Sequence, residues 1–144
     1  MQKSDFIDIC NSKLKLVRTE FSLSQEKMSI MLGISKKTLV EIEKGRSSLG
    51  WSGSVVLCSV FSESQIIMDA FGAPPSEIIH LIAFEQCEPV YRRANTVRVW
   101  WQTVLQNEEY IIEQNIVSQH YRLLTIDGRI IASSFNIDEL KEIM

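Results

Sequence analysis

The chain has 144 residues, of which 45% are hydrophobic and 23% charged, so it is long enough for one ordinary domain or two small ones and too apolar for wholesale disorder. No apolar run approaches the roughly 20 residues that a membrane-spanning helix needs, and the N-terminus lacks the apolar segment and cleavage site of a signal peptide. The net charge of −3 does not by itself favour an acidic partner such as a nucleic acid.

The positions of the charged residues and of the cysteines further restrict the class of protein. Residues 1–50 hold nine Lys or Arg against six Asp or Glu, whereas residues 51–144 hold six against twelve, so a small basic excess lies in the first third. Cys10, Cys58 and Cys87 are odd in number and widely spaced, which favours a reducing cytoplasm over a disulfide framework. Since only His80 and His120 could join them, we expect no metal site and no cofactor.

The first predicted element is a helix over Ser4–Phe21. Phe6, Leu14 and Val17 recur at helical spacing and predict one apolar face. Lys13 lies outside that stripe, so we expect it to be solvated.

Residues 24–46 predict two short helices joined by a tight turn. Ser24 can cap the first helix and Gly33 can end it, because glycine adopts the left-handed backbone of a helix C-terminus most cheaply. Ser35 can cap the second helix, over residues 35–43, and Gly45 can stop it.

The side chains of this helix pair divide into an apolar wedge and a polar face. The second helix is predicted to expose Lys36, Lys37 and Glu41 to solvent. The apolar wedge between the two helices is predicted to consist of Met28, Leu32, Ile34, Leu39 and Ile42. A short helix that is pushed outward by such a wedge has a suitable shape for the major groove of DNA.

Three further helices and a small sheet are predicted in the rest of the chain. The apolar stretch Trp51–Phe61 predicts a buried helix, and the capping-box spacing of Ser62–Gln65 predicts the start of the next, which runs to Phe71. Ser76–Gln86 predicts an amphipathic helix in which His80 is partly buried. Two-residue alternation begins near residue 97 and predicts antiparallel strands, which are expected over Val97–Leu105, Tyr110–Val117, Gln119–Ile126 and Arg129–Ser134.

The end of the chain carries two further local signals. Asp127-Gly128 predicts a tight hairpin, and Asn136, with Glu139 three residues on, predicts the cap of a last short helix. Together the elements predict a mainly α helix-turn-helix bundle of five helices, then a linking helix, then a small antiparallel sheet with a C-terminal helix. The corresponding domains are residues 1–72, 73–94 and 95–144.

Residues 10–72 resemble the helix-turn-helix of phage repressors and Cro, often called the XRE family. The resemblance depends on many residues in one register: Arg18, Ser24-Gln25-Glu26, Leu32-Gly33-Ile34-Ser35, Thr38-Leu39 and Ile42-Glu43-Lys44-Gly45-Arg46. It implies a lambda-repressor-like bundle and an internal salt bridge between Arg18 and Glu43. The sequence departs from the family pattern after the recognition helix. The family usually reaches its closing A-x-G helix sooner, whereas the matching residues here, Ala70-Phe71-Gly72, come late.

The resemblance also implies the residues that meet DNA. Gln25 matches a phosphate contact, and Lys44 and Arg46 match backbone contacts after the recognition helix. The residues of the recognition helix that meet DNA would be Ser35, Lys36, Lys37, Thr38 and Glu41. Lysine can donate to guanine O6 and N7, and glutamate can accept from cytosine N4.

The leading hypothesis is therefore a cytoplasmic transcriptional regulator that binds double-stranded DNA as a homodimer on a palindromic operator. The alternative is an antitoxin-like or phage-control interaction module whose sheet holds a protein partner. A third possibility is that the C-terminal domain senses a small ligand through Trp101 and Tyr121. An enzyme is not expected, because the sequence has no glycine-rich phosphate loop, HExxH or G-x-S-x-G motif.

Overall fold

The computed structural model describes residues 1–84 and 100–144, and it divides the chain into two compact units, residues 1–89 and 90–144. The boundary falls outside the described residues. The predicted start of the first strand at residues 97–99, the predicted end of the Ser76–Gln86 helix and Cys87 also lie outside them.

The described residues confirm the predicted fold class: six N-terminal helices precede a four-stranded antiparallel sheet and a short C-terminal helix. The helices of the N-terminal unit are α1 Lys3–Glu20, α2 Gln25–Leu32, α3 Lys36–Glu43, α4 Gly50–Val60, α5 Gln65–Phe71 and α6 Pro75–Phe84. The second unit contains β1 Trp101–Gln106, β2 Tyr110–Asn115, β3 Tyr121–Thr125, β4 Ile130–Ser134 and α7 Ile137–Lys141.

One apolar core holds the six helices together. Helix α1 contributes four of its buried side chains, and α2, α3 and α4 contribute two each. The fully buried members of the core include Phe6, Leu14, Val17, Met28, Leu39, Leu57 and Ile67. Ile78, Ile79 and Ile82 pack against it, so α6 joins this core although it was predicted as a link between domains.

Serines and glycines set the helix boundaries. Ser24, Ser35 and Ser64 each accept a hydrogen bond from a backbone N–H in the first turn of the helix that follows, as expected for N-caps. Gly33 and Gly72 take the left-handed backbone at the ends of α2 and α5, with φ of 70° and 66°.

Two local predictions were wrong. The predicted cap of α5 was Ser62, but the helix begins two residues later because Ser64 is buried and its hydroxyl donates to Glu20 at the end of α1. The Oε1 atom of Glu20 also accepts from the N–H of Gln65 at 2.8 Å. His80 was predicted to be partly buried, yet it is exposed and its ring contacts Phe84.

The C-terminal sheet has strand order β1-β2-β3-β4, and all three pairings are antiparallel. One face packs against α7, where Ile112, Leu123 and Leu140 are buried. The side chain of Asn136 caps α7 by accepting from the N–H of Asp138, as the sequence predicts. This unit therefore has an apolar core of its own.

Helix length also bears on membranes. Among residues 1–84 and 100–144, no single helix is long and apolar enough to cross a bilayer. The pair α5 and α6 reaches that length and composition only together, with a bend of 46° between them.

The contact between α1 and α5 predicts the effect of Glu20→Ala. The substitution removes the acceptor of the Gln65 N–H and the partner of Ser64, so we expect the free energy of unfolding to fall by about 1–2 kcal/mol. Urea unfolding followed by circular dichroism measures the change. Glu63→Ala is the matched control, because Glu63 is exposed and adjoins the cap, and we expect a change within about 0.5 kcal/mol. Equal losses in the two variants would contradict the capping role.

Candidate nucleic-acid interface

The turn between α2 and α3 is fixed by backbone hydrogen bonds around Gly33. The N–H of Gly33 donates to Ile30 O at 3.1 Å, and the N–H of Ile34 donates to Ser29 O at 3.0 Å. This pattern satisfies the last carbonyls of α2 and reverses the chain within two residues. The next helix can therefore begin at Lys36, directly after its cap.

The predicted apolar wedge between α2 and α3 is confirmed. Met28, Leu32, Leu39 and Ile42 are buried, and Ile34 packs against the same cluster. Only Leu39 and Ile42 of α3 are buried, so most of this eight-residue helix remains on the surface. The diameter of an α-helix with its side chains, about 10–12 Å, fits the width of a DNA major groove, which is about 12 Å.

The N-terminal end of α3 carries two exposed cations on a rigid cap. Lys36 and Lys37 are both exposed. Ser35 Oγ accepts from the Thr38 N–H at 3.0 Å and lies 2.8 Å from Thr38 Oγ1, so the two hydroxyls hold each other in place. The positive end of the helix dipole lies at the same point as the two lysines. This end therefore suits an acidic or hydrogen-bond-accepting partner.

The C-terminal end of α3 combines both signs of charge. Lys44 and Arg46 are exposed, and the N–H of Arg46 donates to Glu41 O at 2.8 Å. The Arg46 guanidinium also lies 3.9 Å from the Glu41 carboxylate, and their side chains are 67% and 34% exposed. An ion pair this exposed is weak, so both side chains remain available to a partner. We refer to Lys36, Lys37, Thr38, Glu41, Lys44 and Arg46 together as the α3 surface.

A polar network behind the α3 surface joins three helices. Arg18 of α1 donates from Nε to Glu43 Oε1 at 2.6 Å and from Nη2 to Oε2 at 3.1 Å, which confirms the predicted salt bridge. Gln25 Nε2 donates to Glu43 Oε2 at 2.9 Å. Arg18 Nη1 donates in addition to Leu23 O at 3.1 Å. The network ties the first residue of α2 and the last residue of α3 to α1.

The environment of Glu43 keeps its carboxylate ionised. Burial by itself raises the pKa of Glu43, but the hydrogen bonds from Arg18 and Gln25 and the positive charges of Arg18 and Lys15 outweigh it, so the pKa lies below its ordinary value. The side chains of Glu43 and Arg18 are only 6% and 16% exposed, so solvent screens this pair far less than the Glu41–Arg46 pair.

Gln25 has a role beyond the one implied by resemblance. Its side chain was expected to meet a phosphate, and in the structure its amide donates to Glu43. Gln25 is also the first residue of α2, where backbone N–H groups lack helical partners. The side chain therefore orients the end of α2 that an anion would approach.

Asn11 is a positioning residue that sequence reasoning missed. Its Oδ1 accepts from the N–H of Leu49 at 2.9 Å, and its Nδ2 donates to Ser48 Oγ at 3.0 Å. Asn11 thus holds the loop that carries Lys44 and Arg46 against α1. No local pattern indicates such a contact between residues 37 and 38 positions apart.

The C-terminal sheet does not bring together the two aromatic residues that were considered for a ligand site. Trp101 pairs with Asn115, and its ring lies 3.8 Å from the Arg122 guanidinium, which also binds Glu113. Tyr121 packs with the α7 core on the opposite face of the sheet. Trp101 and Tyr121 therefore cannot line one pocket of this sheet. Within residues 1–84 and 100–144, no group of three or more His, Cys, Asp or Glu side chains could hold a metal ion.

Comparisons with protein-family models, with curated proteins and with solved structures found no match to this chain. The chemistry of the α3 surface and its supports is therefore the basis for a functional assignment.

The buried ion pair predicts a pH-dependent stability that can be tested with Glu43→Gln. The variant leaves Arg18 with a neutral partner, so we expect a loss of about 2–3 kcal/mol at neutral pH. Because the folded pKa of Glu43 is lowered, the pair stabilises the native state fully above the ordinary carboxyl pKa of about 4, and this contribution is lost as the pH falls from there through the folded pKa. Urea unfolding should therefore show a larger difference between variant and wild type at pH 7 than at pH 3.

Glu41→Gln is the matched control for this experiment, because it changes the same residue type on the same helix at an exposed pair. We expect a change within about 0.5 kcal/mol at either pH. A loss in Glu43→Gln that matched the control, or that did not shrink in acid, would contradict the role of the ion pair.

Proposed function

We propose that this protein is a transcriptional regulator that binds double-stranded DNA with α3 in the major groove. The observation that carries the proposal is the α3 surface together with its support. The helix has two buried side chains and two exposed lysines at a capped N-terminus, and a partly buried ion pair behind it fixes its other end. A helix that is held rigidly from behind and is polar in front is the arrangement that base reading in a groove requires.

The residues of the α3 surface suit two kinds of contact. Lys36 and Lys37 are expected to reach base edges, with guanine O6 and N7 as their acceptors. Glu41 can accept from cytosine N4 if Arg46 turns from it to a phosphate, which costs little because their pair is exposed. Lys44 and Arg46 follow the helix and are expected to contact the backbone.

Self-association fits the same proposal. One such module buries too little surface for tight binding, so a second copy on a two-fold operator is expected. The C-terminal unit carries exposed apolar side chains that support this role: Val117, Ile126, Ile130 and Phe135 are 67%, 51%, 60% and 80% exposed. Burial of such side chains against a second copy would remove apolar surface from water and so favour association.

The exposed apolar residues also favour the second candidate, an antitoxin-like module whose sheet binds a different protein. Light scattering of the purified full chain distinguishes the two. A homodimer predicts a mass twice the 16.5 kDa of one chain, whereas a heteromeric module predicts a monomer that recovers one stoichiometric partner protein.

DNA binding predicts a strong effect of Lys36→Ala and Lys37→Ala. We expect each substitution to weaken binding to a selected duplex about tenfold, because each removes a base or phosphate contact. Selection of bound duplexes from a random pool should yield a palindromic consensus with the wild type, and the half-site bases should become degenerate in the variants. Affinity should also fall steeply between 50 and 200 mM salt, the range over which phosphate contacts are screened.

Lys13→Ala is the charge-matched control, because Lys13 lies on α1 outside the α3 surface, and we expect its affinity to stay within about twofold of wild type. A pool that showed no enrichment, or an affinity that did not change with salt, would contradict the proposal.

A further inference from the structure

Two cysteines that lie 48 positions apart in the sequence meet inside the helical unit. Cys10 of α1 and Cys58 of α4 are 2% and 1% exposed, and their Sγ atoms are 3.8 Å apart. Both are free thiols. The contact plays no part in the α3 surface, because neither residue belongs to α2, α3 or the loop after α3.

The separation of the two sulfur atoms is that of van der Waals contact. A disulfide bond is about 2.0 Å long, so the sulfurs must approach by about 1.8 Å to bond. Formation of the bond therefore requires side-chain rotation, a shift of one helix toward the other, or both. The pair is therefore much closer to bonding distance than two unrelated cysteines of a core would be.

Cys58 is one of the residues in the wall of a surface cavity. The cavity, of about 800 Å³, lies between α4, α5 and α6, and its lining includes Cys58, Met68 and His80. Hydrogen peroxide is no larger than two water molecules, so the cavity admits it easily.

We propose that Cys10 and Cys58 form a reversible dithiol–disulfide pair that locks α1 to α4 when the protein meets a two-electron oxidant of the peroxide class. This inference concerns the helical scaffold and does not depend on the proposed DNA binding. Disulfides in reducing compartments are usually transient or redox-sensing, which fits a pair that is reduced at rest.

One molecule of peroxide supplies the oxidising equivalents that convert the two thiols to a disulfide. One cysteine, as a thiolate, attacks a peroxide oxygen and becomes a sulfenic acid, and the oxygen that leaves is protonated to water. The second thiol attacks that sulfur, forms the S–S bond and expels the sulfenic oxygen as a second water. The two sulfurs lose two electrons and the peroxide gains them. The hydrogen bond with Cys58 lowers the pKa of the Cys10 thiol, whereas the hydrogen bond with Cys10 and burial raise the pKa of the Cys58 thiol, so Cys10 is the thiol of the pair that ionises more readily.

The expected consequence is a more stable scaffold. The bond would close a loop of 47 residues between α1 and α4, which restricts the unfolded chain. For a unit of this size we expect the midpoint of thermal unfolding to rise by about 10 °C.

The experiment uses the full chain carrying Cys87→Ser, so that only the described pair can react, with the wild type in parallel. Purified, reduced protein is treated with hydrogen peroxide at pH 8 and then digested without reductant. We expect a loss of about 2 Da from the intact monomer, one cross-linked peptide joining Cys10 to Cys58, a raised unfolding midpoint, and reversal of all three by dithiothreitol. The wild type should yield the same cross-linked peptide.

The control carries Cys10→Ala together with Cys87→Ser, and its unoxidised unfolding curve establishes that it folds. Peroxide should not remove 2 Da from this monomer or raise its midpoint. Thiols that survive peroxide in the Cys87→Ser protein, oxidation that ends in sulfinic acid without a cross-link, or a midpoint that falls when the bond forms would each overturn the proposal. None of these readouts involves DNA, so failure here leaves the proposed function unaffected, and loss of DNA binding leaves this inference unaffected.

Discussion

The partly buried ion pair between Arg18 and Glu43 is the constraint on which the orientation of α3 depends. Helix α3 is only eight residues long and buries two apolar side chains, so hydrophobic contact restrains its tilt and rotation less than it restrains those of a longer helix. The bidentate contact adds a directional restraint at the C-terminal end, and Gln25 extends it to α2. The opposite face of α3 can remain polar and exposed because its orientation is already set from behind.

The two units of the chain are both small, and they differ in the size of their apolar cores. The helical unit packs its short helices and α1 into one core, and the isoleucines of α6 pack against it. The C-terminal unit has only a small core, in which Ile112, Leu123 and Leu140 join one face of the sheet to α7. A core of this size stabilises a fold only weakly. The exposed apolar side chains of this unit are consistent with further burial against another surface, which is what the proposed homodimer would supply.

Signals that act within a few residues were readable from the sequence, and contacts between distant residues were not. Ser35 and Gly33 were predicted correctly because a cap and a left-handed turn depend on local backbone chemistry. The cap of α5 was predicted at the wrong residue because the local sequence allows either Ser62 or Ser64 to cap the helix. The contacts of Glu20, more than 40 residues away, favour Ser64. The Asn11 contacts were missed for the same reason. The salt bridge of α1 and α3 is the exception, since a family resemblance supplied the long-range pairing.

Charge placement reconciles a net charge of −3 with the proposed partner. The Glu43 side chain is largely buried, and Arg18 neutralises it where little solvent reaches. The lysines of the α3 surface are left to dominate the local field, while twelve of the 18 acidic residues lie beyond residue 50. The acidic residues beyond residue 50 lower the non-specific attraction of the protein to the phosphate backbone, because that attraction depends on total charge. They leave the contacts that α3 itself would make almost unchanged. The proposed regulator would thereby gain discrimination between sites at the expense of overall affinity, because only a well-matched groove would compensate for the weak general attraction.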